Sequence, residues 1–140
     1  MAKYSSITST STTSEAPTTT GPALPASWQG VTATELHLGI VLQDADLSSE
    51  GLYAAFAQMR NDNGGVHGRQ VVLHVARFNP YRPGSAQTAC VTLLEEAAVF
   101  MILMDAVDED AVRCASERYG APVVARTGLS ADLDADLGGL

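Results

Sequence analysis

From residue 34 onward, short apolar runs alternate with stretches of helical periodicity, and few architectures accept that alternation. "ELHLGIVLQD" passes from apolar–polar alternation to a continuous apolar run, which predicts a strand over about 35–43. "SSEGLYAAFAQMRND" opens on Ser with Glu close behind and carries Leu52, Ala55, Phe56 and Met59 at helical spacing. "QVVLHVARF" predicts a second strand over about 70–78. In "PGSAQTACVTLLEEA", Pro83 and Ser85 open a helix whose buried stripe is Ala86, Cys90, Leu93 and Leu94. "VFMILM" is a fully apolar third strand at about 99–104, and "PVVA" a short fourth. Between them, "DEDAVRCASERYG" has acids in its first turn and Gly120 just past its end, as the helix dipole and C-cap rules favour. Four strands alternating with three helices imply right-handed crossovers and an α/β fold, a doubly wound parallel sheet. The uninterrupted apolar third strand fits a sheet covered on both faces.

The stretch "NDNGGVHGRQ" holds three glycines and a histidine between the first helix and the second strand. A phosphate cradle needs its glycines after a strand and before a helix. Here the order is reversed, which puts them at the end of the sheet away from ligand-binding loops. The segment reads as a helix stop and turn, with Asn63 and Gly64 suited to the left-handed conformation and Gly65 and Gly68 to tight turns. His67 is then a turn residue. His37 and His74 lie on strands without metal-ligand spacing, so neither metal nor cofactor is implied.

Residues 1–33 differ in kind: "SSITSTSTTSEAPTTTGPALPAS" is too poor in large apolar residues to offset its ordering entropy, and is expected to be a disordered linker ahead of a folded unit over 34–140. No apolar h-region follows Lys3, so no signal peptide is visible. Eight basic against 16 acidic residues give a net charge of −8, which lacks the electrostatic footprint of a nucleic-acid binder. No apolar run approaches the roughly 20 residues of a membrane-spanning helix. No nucleophile, base and orienting acid are spaced as a catalytic set, so an enzyme is not expected.

Taken in order, "GVTATELHLGIVLQD", a helix ending "NDNGGVHGRQVVLHV", and "FNPYRPGSAQTACVTLLEEAAVFMIL" resemble the opening of type I periplasmic binding proteins. These are the branched-chain amino-acid type substrate-binding components of ABC transporters. The resemblance covers about residues 30–125. It implies an incomplete N-terminal lobe, since such a protein needs a fifth strand and a second lobe. It also implies an extracytoplasmic location, a lipid anchor on the parent protein joined through the Ser/Thr/Pro tract, and a membrane permease as partner. The implied function is capture of a small molecule, amino-acid-like or another polar solute, between two lobes. The ligand loops would be Gln43–Ser49, Asp105–Asp110 and Arg126–Ser130. Their candidate contacts are Asp44, Ser48 and Ser49 in the first, Asp105 and Ala106 in the second, and Thr127 and Gly128 in the third. The second loop lacks the hydroxyl residues that members holding an amino acid offer there, and its acids would oppose a carboxylate. Asp108, Glu109 and Asp110 read more simply as first-turn acids of the third helix.

If the strand order is 2-1-3-4, as the resemblance implies, the second and third helices lie side by side. Cys90 and Cys114 could then approach within the roughly 4.4–6.8 Å Cα separation of a disulfide, the bond being favoured by the implied export. Two buried free thiols are the alternative. A different class shares the topology: a receiver-like phosphoacceptor domain would use Asp44, Asp46, Asp105 and Thr127, with Mg²⁺ held by converging carboxylates. The long interval from Asp44 to Asp105 and the "GGVHGR" turn speak against it.

Overall fold

The computed structural model describes residues 25–106, 108–126, 128 and 130–136; most of the tract assigned to a linker lies outside the described residues. Four parallel strands form one sheet in the order β2-β1-β3-β4: β1 Glu35–Gln43, β2 Gln70–Phe78, β3 Met101–Met104 and β4 Val123–Ala125. The α/β sheet read from the sequence is therefore present, with the expected strand order. Helix α1 (Ser49–Asp62) joins β1 to β2. Helix α2 (Ser85–Val91) runs into a π-helical turn, Thr92–Glu96, before β3. Helix α3 (Glu109–Arg113) does the same through Cys114–Arg118 before β4, and a short α4 (Ala131–Asp136) follows.

The core lies between the sheet and the α2–α3 layer. Val41, Phe78, Ile102 and Met104 meet Ala86, Cys90, Leu93, Leu94, Val112 and Ala115, all buried. The α2 stripe expected from its spacing is the buried one. Each fully buried aliphatic side chain here contributes about 1.5–3 kcal/mol. Cys90 and Cys114 are joined by a disulfide across the two helices, with Cα atoms 6.4 Å apart.

The other face is organised differently from the sequence expectation. Leu52, Phe56 and Met59 are 71, 60 and 48% exposed, while Ala57 is the buried residue of α1. Two polar clamps set this rotation. The Asn61 amide donates to the Val71 carbonyl at 2.9 Å and accepts from its N–H at 2.7 Å. Near the helix start, Glu50 pairs with Arg77 of β2 at 2.6 Å. Residues 50, 57 and 61 thus share the face turned to β2, and of the apolar stripe only Phe56 lines the pocket with Leu38, Leu73 and Leu103.

The glycine stretch ends α1 and starts β2. Asn63 is not left-handed; Gly64 and Gly65 are, with φ of 90° and 73°. Val66 and Arg69 exchange both backbone hydrogen bonds, at 2.8 and 3.0 Å, across His67 and Gly68, whose φ are both positive. That is the mirror-image two-residue turn that suits right-twisted strands. A Cβ on Gly65 would sit 2.0 Å from the Arg69 carbonyl oxygen, so no other residue fits there. Arg69, itself buried, donates to the carbonyls of Thr32 at 2.6 Å and Pro25 at 2.9 Å. Gln29 donates to the Leu94 carbonyl at 2.8 Å. Residues 25–33, placed by composition in the linker, are thus tied to the folded unit.

Candidate functional site

The carboxyl ends of β1, β3 and β4 form one rim, and strand register decides what stands on it. β3 and β4 end level, at the pair Met104–Ala125, and the Arg126 N–H continues the ladder to the Met104 carbonyl at 3.0 Å. The next residue of each strand, Asp105 and Arg126, therefore stand side by side. Arg126 Nε lies 2.9 Å from Asp105 Oδ1 as an ion pair. From the far side the Ser49 hydroxyl donates to Asp105 Oδ2, also at 2.9 Å. Asp105 is 13% exposed and Arg126 71%, so the carboxylate is the inner member and the guanidinium the outer one. Burial pushes the Tyr53 phenol up, the Asp105 charge adds to the shift, and Arg126 opposes it. Tyr53, one turn into α1, thus feels the same charge pair.

The first loop is shaped by Asp46. Its Oδ1 accepts from the Ser48 and Ser49 N–H groups, both at 3.0 Å, satisfying amides at the helix start that have no intrahelical partner. Ser49, through its hydroxyl and then its amide, lowers the Asp46 carboxyl to about 2. The 2.9 Å contact gives that hydroxyl proton to Asp105, so we ascribe the lowering mainly to the amides.

Of the residues singled out in the sequence, Ser49 and Asp105 are in direct contact. Ser48 is exposed, its hydroxyl 3.3 Å from Asp46. Ala106 is half-buried beside Asp105, Gly128 is exposed with no steric demand for glycine, and Thr127 lies outside the described residues. Asp44 is exposed and turned away, lining a groove of about 620 Å³ with Arg77, Asn79, Arg82 and Ser85 on the β2 side. The polar groups of that groove largely serve the turn itself: the Ser85 hydroxyl bonds the Asn79 backbone at 2.7 Å and Thr88 the Gly84 carbonyl at 3.0 Å. Asp108 caps α3 by accepting from the Ala111 N–H at 3.2 Å, as first-turn acids do.

The carboxylates of the receiver-like reading do not converge. Asp46 is engaged with helix amides, Asp105 with Ser49 and Arg126, and Asp44 faces the groove. Among the described residues, no group of three or more His, Cys, Asp or Glu could hold a metal ion.

Sequence reasoning missed two things. Arg126 was placed in a ligand loop but given no role, because its pairing with Asp105 depends on where β3 and β4 end, which the sequence does not signal. His37 and His74, set aside as lacking ligand spacing, are hydrogen-bonded ring to ring at 2.9 Å, with Glu35 on the outer nitrogen of His37 at 3.2 Å. The register places His74 opposite Gly39 and His37 opposite Val72.

No protein-family model matches the chain, and neither does any curated protein sequence. Among solved structures, an ABC transporter substrate-binding protein from Desulfitobacterium hafniense is similar, with a TM-score of 0.58 and 22% identity. The similarity covers 72% of this chain and 31% of that one, so the present chain spans about a third of the length of its structural neighbour. At that identity the likeness is one of fold: the sheet and helices are arranged as in part of that protein.

Proposed function

We propose that the chain contributes the first lobe's half of a solute-binding cleft, in an extracytoplasmic protein that delivers a small polar solute to the permease of an ABC transporter. The observation that carries the reading is the rim at the carboxyl ends of β1, β3 and β4, where Ser49, Asp105 and Arg126 are locked together on a fold similar to a substrate-binding protein. Ligands of open α/β sheets bind at this end. The Cys90–Cys114 disulfide supports an oxidising compartment, and no described helix is long and apolar enough to cross a membrane. Attachment through a lipid anchor ahead of the Ser/Thr/Pro tract, and branched-chain or other amino-acid-like solutes, belong to this proposal and rest on the sequence resemblance.

The role is capture without chemistry. One lobe offers half the contacts of a closed cleft, so affinity is expected near the millimolar range, about −4 kcal/mol. The test is a panel of amino acids, organic acids, sugars and polyols, each titrated into the isotopically labelled 140-residue chain. Saturable amide shifts confined to the 44–49 loop, Ala106 and Arg126 support the reading. Shifts absent there with every solute, or concentrated in the β2 groove, contradict it.

A further inference from the structure

We propose that the outer edge of β2 pairs with a second copy of this chain, the two β2 strands running antiparallel about a two-fold axis through Val75. The proposal does not depend on the solute-binding reading. A strand bonds its parallel neighbour through alternate residues, and the others turn their backbone groups the opposite way. The Gln70 N–H donates to the Thr34 carbonyl and the Phe78 carbonyl accepts from the Asp44 N–H, so the even-numbered residues of β2 face β1. The odd-numbered ones face outward, where the sheet ends. Two side chains close the ends of that outer row. The Asn61 amide serves both backbone groups of Val71. The Ser85 hydroxyl serves both groups of Asn79, accepting from its N–H at 3.1 Å and donating to its carbonyl at 2.7 Å. Between them Leu73, Val75 and Arg77 present N–H and C=O groups that no described residue pairs. The open run is centred on Val75, midway between the closed positions 71 and 79.

That symmetry names the occupant. With Val75 opposite its own copy in an antiparallel pair, Leu73 of one chain falls opposite Arg77 of the other, and each such pair exchanges both hydrogen bonds. The next pair outward is Val71 with Asn79, both already satisfied, so the register ends where the open groups end. The side chains agree. His74 meets the small Ala76, and Arg77 meets Leu73 rather than another arginine, so no like charges stand opposite. Natural edges are ordinarily guarded by lysine, proline or a bulge. This run has none of them, and its Arg77 is turned back to Glu50 and to the Gln43 and Asp46 carbonyls. Val75 is 38% exposed. Alongside lies the groove of about 620 Å³ between β2 and α2, whose α2 wall is Ser85, Thr88, Ala89 and Thr92. These small side chains leave room for the second α2, which the two-fold axis puts on the same face of the sheet. A pairing of this length falls below the roughly 1,200 Å² of a standard interface, and each chain carries a net charge of −8. The dimer is therefore weak, with a dissociation constant on the order of 0.1 mM, and tightens as salt screens the repulsion.

The test uses the oxidised full chain, with sedimentation and amide exchange measured at about 10 µM and about 1 mM to bracket that constant. Dimer should form at the higher concentration only, with the Leu73, Val75 and Arg77 amides slowed there and fast at the lower. Val75→Lys and Val75→Glu each set like charges against themselves at the axis and should each weaken the dimer about fivefold or more, with far-UV circular dichroism unchanged. Because residue 75 pairs with its own copy, an equimolar mixture of the two variants should dimerise at least as well as the parent. A mixture as monomeric as either variant alone overturns the proposal. So does a parent chain that stays monomeric at the higher concentration. A dimer that both variants leave intact also overturns it, by placing the interface elsewhere, as on the exposed Leu52 and Phe56 of α1. Slow exchange at the three amides in a monomer overturns it too, by showing the edge covered within one chain.

Discussion

The disulfide offers the most quantitative test of how the α2–α3 layer is held. Cys90 and Cys114 are separated by 24 residues, and both are buried in the core cluster. Closing a loop of that size removes about 12 cal/mol/K from the unfolded ensemble, or about 3.5 kcal/mol at 25 °C. That is a large part of the 5–15 kcal/mol by which a domain is ordinarily stable. The perturbation is Cys90→Ala with Cys114→Ala, since alanine suits two apolar sites better than serine does. Urea unfolding should be followed by far-UV circular dichroism, because Trp28 is largely exposed and a poor reporter of the core. With a slope of about 2 kcal/mol per molar, the midpoint should fall by about 1.5–2 M. Reduction of the parent chain should reproduce most of that fall. A shift under about 0.3 M at unchanged slope would refute the reasoning, because the bond would then not be lowering the entropy of the unfolded ensemble by the amount worked out here.

Three further outcomes are expected. Asn61→Ala leaves the Val71 N–H and carbonyl without partners and should cost about 1–3 kcal/mol, seen as faster amide exchange in α1 and at the start of β2. Gly65→Ala should cost more than Gly68→Ala, about 2 kcal/mol or above against about 1, since only the first drives a Cβ into the Arg69 carbonyl; thermal melts of the two would rank them. Burial and then the neighbouring His37 lower the His74 pKa below its ordinary 6.5, so the unfolded chain takes up that proton first. Stability from this group is therefore complete above about pH 6.5 and lost as pH falls below it, and His74→Gln should flatten that part of a stability–pH curve. Glu35, the acid on His37, should be varied alongside.

The strands were legible because a parallel sheet covered on both faces demands apolar runs, whereas their order came only from the family resemblance. "ELHLGIVLQ" and "QVVLHVARF" match β1 and β2 residue for residue. The third strand was drawn two residues too long: Val99 is buried, but its N–H bonds the Leu93 carbonyl at 3.1 Å rather than the sheet. The face of α1 was misjudged because periodicity counts apolar residues and ignores polar anchors. Asn61 and Glu50 hold that helix to β2, and a hydrogen-bonded amide on a strand edge outweighs the burial of Leu52 or Met59. The site was half legible. Ser49 and Asp105 follow from the rule that ligands meet strand carboxyl ends. The pairing of Asp105 with Arg126 depends on where β3 and β4 stop, a matter of one residue that composition does not encode.

The central claim is that a small solute meets this chain at the rim of β1, β3 and β4. Crystals of the 140-residue chain soaked with pooled amino acids, organic acids and sugars would test it most directly. The account requires solute density against Arg126, Asp105 and the 44–49 loop. Density confined to the Arg82–Ser85 groove, with the rim filled by water, would contradict it.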